Sequence, residues 1–66
     1  MVHDIVSDMM TRIRNAIQVK HHLVKVPFTK MTESIANVLK EESLIEDFRT
    51  FYKKKTKFLL LLLKYK

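Results

Sequence analysis

In the stretch Asp8-Met9-Met10-Thr11-Arg12-Ile13-Arg14-Asn15-Ala16, a row of hydrogen-bond donors is interleaved with an apolar row at helical spacing. Arg14 carries a planar fork that suits two oxygens of a phosphate, and Thr11, Asn15 and Gln18 add neutral donors for phosphate or ribose hydroxyls. Further basic groups follow: Lys20 to Lys25, which includes His21 and His22, then Lys30, then Lys53 to Lys57. Thr29 followed by Lys30 would place backbone N–H groups and a cation at a helix start, an arrangement that attracts anions. Phe48, Phe51, Tyr52 and Phe58 could stack on bases, although aromatics at strand spacing ordinarily form core. The chemistry that these types support is recognition of a nucleic-acid backbone and its shape, with little base readout.

Catalytic chemistry finds no comparable support. His21 and His22 are adjacent, so in a strand they point to opposite faces and cannot share a ligand. The chain has no cysteine, which excludes disulfides and thiolate metal sites. No H-E-x-x-H pair, no glycine-rich phosphate loop and no nucleophile beside a base can be found. Glu41, Glu42, Glu46 and Asp47 read as solvated helix-end and loop charges. The sequence therefore assigns no catalytic residue, no metal ligand, no cofactor and no small-molecule substrate.

Charge points to the class of partner. Thirteen Lys and Arg against seven Asp and Glu give a formal net charge of +6, which favours nucleic acid or an anionic membrane surface. The membrane alternative is the weaker, because the leucines are contiguous instead of lying at helical spacing opposite a cationic face. The longest apolar run, Phe58 to Leu63, is too short to span a bilayer as a helix, and Asp4 and Asp8 are unlike a targeting peptide. Sixty-six residues allow one small domain with a core of marginal size, so a partner is expected to add stability.

The elements that would position these side chains follow from periodicity. Asp4 is a plausible N-cap for a helix over 5–19 with Ile5, Met9, Ile13, Ala16 and Ile17 on its apolar face and Ser7, Thr11, Arg14, Asn15 and Gln18 opposite. Arg12 lies near the apolar border. A strand is predicted over 22–28, with Pro27 marking an edge or an end. Thr29 would cap a second helix over 30–42, with Met31, Ile35, Val38 and Leu39 as its stripe. Ser43 stands where a helix terminus prefers glycine, so that junction is expected to be strained. Two strands, 45–52 and 57–65, flank the basic turn Lys53-Lys54-Lys55-Thr56. Phe48, Thr50 and Tyr52 should share one face, and Asp47, Arg49 and Phe51 the other.

The order helix, strand, helix, strand, strand predicts an α+β fold, a small sheet with both helices packed on one face. The unbroken Leu59–Leu63 run suggests a strand covered on both faces, with a short buried helix as the alternative that periodicity alone leaves open. Two helices can cover only one, so a second domain, another protein or RNA would have to cover the other. With no glycine anywhere, the turns must use residues that tolerate positive φ poorly or avoid positive φ.

The Asp8–Ala16 stretch, Val26-Pro27-Phe28-Thr29-Lys30, Ile35-Ala36-Asn37-Val38-Leu39-Lys40-Glu41-Glu42, Ile45-Glu46-Asp47-Phe48 and Leu61-Leu62-Leu63-Lys64-Tyr65 together resemble the bacterial-type small-subunit ribosomal protein eight family. The resemblance implies a structural protein that binds small-subunit ribosomal RNA directly, sits beside neighbouring small-subunit ribosomal proteins and helps organise the central platform region. It implies RNA-facing roles for Thr11, Arg14, Asn15, Thr29 and Lys30, no enzymatic activity and no membrane partner. It also implies that residues 1–66 correspond to the family's N-terminal domain, with the C-terminal RNA-binding domain that packs against it in the family absent. The alternative is a truncated basic module that binds RNA non-specifically or an anionic membrane surface. Ser43 stands where the family has glycine. The abundance of Lys, Ile, Leu and Phe without Gly resembles plastid versions, with a bacterial cytoplasm as the alternative location.

Overall fold

The computed structural model describes residues 5–65; Asp4, the expected N-cap, lies outside them. The elements are α1 (Ile5–Gln18), β1 (Leu23–Pro27), α2 (Lys30–Glu41), β2 (Ile45–Lys53) and β3 (Thr56–Leu63). The three strands form one antiparallel sheet in the order β1-β3-β2. Met9, Ile13 and Ala16 of α1 and Ala36 of α2 close a core with Val24, Val26, Ile45, Leu59, Leu61 and Leu63. The architecture is the expected α+β one. None of the helices over the described residues is long and apolar enough to cross a membrane.

The side of each helix that packs inward differs in part from its apolar stripe. Ile17 lies on the predicted apolar face but is 51% exposed, whereas its neighbour Ala16 is buried in the core. On α2, Met31 and Val38 are exposed, while Thr32 and Ala36 are fully buried and Ile35 and Leu39 pack at the margin. Thr32 accounts for this rotation. Its hydroxyl accepts from the Thr29 N–H at 2.8 Å and lies 3.0 Å from the carbonyls of Pro27 and Thr29, to which it can donate. Thr29 Oγ1 in turn accepts from the Thr32 N–H at 3.0 Å. This reciprocal capping box fixes which face of α2 meets the sheet.

The leucine run occupies the central strand but is covered on one face only. Leu59, Leu61 and Leu63 are buried beneath the helices, while Leu60 is half-buried and Leu62 exposed. Register places Leu23, Lys25, Asp47, Arg49, Phe51, Phe58, Leu60 and Leu62 together on the opposite, open face. There Phe51 and Phe58 stack across strands at 5.5 Å, with the Lys25 ammonium 4.9 Å over the Phe58 ring. Phe48, Thr50 and Tyr52 share the other side, as their alternation predicts. Ile45 is also buried on that side although it lies three positions before Phe48, an odd offset; a bulge between Ile45 and Asp47 absorbs the extra residue. Asp47 follows the bulge and ties β2 to the end of α2. The Lys40 ammonium 3.0 Å away, together with the Phe48 N–H at 2.8 Å, holds the Asp47 carboxyl below its ordinary pKa.

The absence of glycine leaves a direct trace in the backbone. Lys20, Ser43 and Lys54 take φ of 58°, 62° and 58°. Both helices end in the same motif: Lys20 N–H reaches Ile17 O at 3.1 Å and His21 N–H reaches Ala16 O at 2.9 Å, while Ser43 and Leu44 bond Lys40 O and Leu39 O at 3.0 and 2.8 Å. These are Schellman pairs with a side chain where glycine is usual. Lys54 supplies the positive φ that a two-residue hairpin requires at its first loop position. Relief of the left-handed strain at Ser43 outweighs the added chain entropy of glycine. Ser43→Gly is therefore expected to stabilise the fold by about 0.5–1 kcal/mol, read as a raised urea midpoint; an unmoved midpoint would show that Ser43 carries no strain.

Candidate nucleic-acid interface

On α1 the core residues Met9, Ile13 and Ala16 fix the rotation of the helix, and Ser7, Thr11, Arg14, Asn15 and Gln18 consequently all stand exposed. The two arginines of this helix do different work. Arg12 Nε donates to Asp8 Oδ2 at 3.1 Å and an Arg12 terminal nitrogen donates to the Lys25 carbonyl at 3.1 Å. Arg14 enters no ion pair among the described residues. Thr11, Arg14 and Asn15 thus form a contiguous exposed row with one uncommitted cation.

The Arg12 contact has a geometric reason. Leu63 N–H bonds His22 O and Phe28 N–H bonds Lys57 O, so the even-numbered residues of β1 face β3 and the odd-numbered ones face the free edge. Pro27, which has no N–H to donate, sits at an outward position and removes nothing from the ladder. The Lys25 carbonyl also faces outward, and Arg12 covers it. Arg12 is in this way a brace between α1 and the sheet edge, a role that its place at the apolar border only hinted at. An open cleft of about 410 Å³ lies alongside, lined in part by Arg12, Asn15, His21, Leu23 and Lys25. Asn15 is the member of the expected set that lines it.

Thr29 and Lys30 stand apart from the α1 row, at the start of α2. Lys30 is exposed. Thr29 is half-buried and its hydroxyl is engaged in the capping box, so its side chain has a structural duty whatever else it touches. No hydrogen bond or ion pair among the described residues links Thr29 or Lys30 to Thr11, Arg14 or Asn15. At the same end of the sheet, the Lys57 ammonium lies 3.8 Å over the Phe28 ring and 5.7 Å from that of Tyr52. The exposed hairpin residues Lys53, Lys54 and Lys55 adjoin this group.

The histidines play local parts. His22 meets the Tyr65 ring edge-on at 5.4 Å, and the Tyr65 hydroxyl donates to His21 O at 2.6 Å, which pins the segment after β3 to the start of β1. Among the described residues no group of His, Asp and Glu could hold a metal ion.

Small ribosomal subunit protein uS8c of Trieres chinensis is 53% identical over all 66 residues, which span 50% of that protein. The uS8c protein of Thalassiosira pseudonana is 54% identical over 98% of the chain and 49% of its own length. Small ribosomal subunit protein uS8 of Rippkaea orientalis is 56% identical over 97% of the chain and 48% of its own length. The chain spans about half the length of the curated relatives it matches. The family description of ribosomal protein S8 matches residues 4–66, nearly the whole sequence, and the chain belongs to this family of structural ribosomal proteins, which are not enzymes.

Proposed function

We propose that this domain is a structural constituent of the small ribosomal subunit that binds small-subunit ribosomal RNA through backbone and shape contacts and helps organise the platform region beside neighbouring ribosomal proteins. The observation that carries the reading is the exposed row Thr11, Arg14 and Asn15, with Arg14 outside any ion pair among the described residues while Arg12 is committed to the fold. Lys30, exposed at the start of α2, extends the contact, and Thr29 orients it through the cap. The net charge of +6 supplies the long-range attraction. The uS8c names of several relatives support a plastid ribosome, and the cyanobacterial relatives are equally compatible with a bacterial one.

Residues 1–66 act in this reading as the N-terminal-type domain of a longer architecture. Relatives twice as long, together with the open apolar face around Leu60 and Leu62, support packing of a further domain there. Arg14→Ala is expected to weaken binding to a small-subunit ribosomal RNA fragment by about 1–3 kcal/mol and to reduce the salt slope by about one unit. A titration across a salt series measures both. Unchanged affinity and slope would remove the α1 row from the interface, and tight binding to anionic vesicles without RNA preference would overturn the RNA reading.

A further inference from the structure

Of the six aromatic rings in the chain, five have their faces or edges occupied. Phe51 and Phe58 stack on each other, Phe48 packs against the core, Phe28 lies under the Lys57 ammonium, and Tyr65 meets His22. Tyr52 is different. It is 70% exposed, the most exposed large hydrophobic side chain among the described residues. It lies on the side of the sheet that carries the helices, yet at the hairpin end beyond their cover. Among the described residues its one ring contact is with the Lys57 ammonium, 5.7 Å from its centroid.

The hairpin residues that follow and face this ring are rich in cations. Lys53, Lys54 and Lys55 follow it directly and are exposed, Lys57 is its cross-strand partner, and no carboxylate occurs anywhere in the sequence after Asp47. None of these four lysines enters an ion pair among the described residues. The platform is also well held, because Tyr52 pairs with Lys57 and Lys53 with Thr56 across a loop of only two residues. A fixed, open aromatic face beside several unpaired cations matches a base with its flanking phosphates, since stacking accepts any base and the lysines follow the backbone. A membrane surface would call for apolar side chains at the tip, and Lys53 to Thr56 supply none.

We propose that Tyr52, with Lys53, Lys54, Lys55 and Lys57, is a stacking site for an unpaired RNA nucleotide, separate from the contact made by Thr11, Arg14 and Asn15. The assignment rests on the RNA-binding reading and adds the kind of RNA that this end of the domain meets: a loop, a bulge or a single-stranded junction instead of continuous duplex.

The chain has no tryptophan and two tyrosines, so a Tyr65→Phe background leaves Tyr52 as the sole tyrosine reporter. The probes are a small-subunit ribosomal RNA stem with an unpaired loop and the same stem closed as a continuous duplex. Stacking should quench Tyr52 fluorescence with the looped RNA and leave it nearly unchanged with the duplex. Tyr52→Leu should weaken binding to the looped RNA about tenfold, with duplex binding unaltered, and Tyr52→Phe should restore most of the loss. Looped-RNA binding that is unaffected by Tyr52→Leu, with no quenching, would overturn this site while leaving the RNA reading intact. A wild-type chain that binds neither RNA would overturn both.

Discussion

Leu61→Ala is expected to cost about 2–5 kcal/mol of folding free energy, which is comparable to the whole stability of a domain this small, roughly 3–5 kcal/mol. Leu61 has no exposed surface and lies in the central strand, paired with Val24 on one side and Phe48 on the other. Truncation there leaves a cavity bounded by two strands and the helices, with little freedom to collapse. The neighbouring Leu62 supplies the control. It is 39% exposed on the open face, and Leu62→Ala should change stability by less than about 1 kcal/mol. Urea unfolding followed by circular dichroism distinguishes the two. Equal losses would contradict a core that lies on one side of the sheet.

Thr32→Val, a change of nearly the same volume, should destabilise the domain by about 2–3 kcal/mol. The valine methyl cannot accept from the Thr29 N–H or donate to the Pro27 carbonyl, so the buried side chain would strand groups at both the helix start and the strand end. Thr32→Ser keeps the hydroxyl and loses one methyl, about 0.8 kcal/mol of burial. If valine were tolerated as well as serine, the capping box would be ornamental and the orientation of α2 would have to come from Ala36, Ile35 and Leu39 alone. The same substitution bears on the interface, since Thr29 and Lys30 are held by this cap.

Residue patterns disclosed the elements more readily than the faces they bury. Val24 and Val26 alternating around Lys25 announced β1, and Met9, Ile13 and Ala16 announced the inner side of α1. On α2 the larger apolar side chains Met31 and Val38 drew the expected stripe toward themselves, while the residue that sets the rotation is a threonine. Its importance lies in hydrogen bonds that form only once Pro27 and Thr29 are in place, so hydropathy carries no trace of it. The bulge after Ile45 is equally silent, because it depends on β2 aligning with Leu62 and Leu63 of another strand. Ser43 was legible for the opposite reason: a helix terminus without glycine must strain a side chain.

The expected site was partly readable in the same sense. Thr11, Arg14 and Asn15 share one side of a helix by spacing alone, and they are exposed together. Spacing could not separate Arg14 from Arg12, whose carbonyl partner lies thirteen residues away and faces outward only because of strand register. Nor could it single out Tyr52 from Phe48, Phe51 and Phe58. Which of four aromatics remains bare depends on where the helices stop covering the sheet.

The strand order has a consequence for how the domain comes into being. β1 and β2 bond only to β3, the last of the three to be synthesised. No part of this sheet can assemble on a nascent chain until β3 has been made. The β2–β3 hairpin closes across two loop residues, whereas β1 must join from more than thirty residues upstream, so the hairpin is the local event and the docking of β1 the distant one. Until then, α1, with its exposed cationic row, is tethered to an unfinished sheet, and its orientation is set only when the final strand arrives.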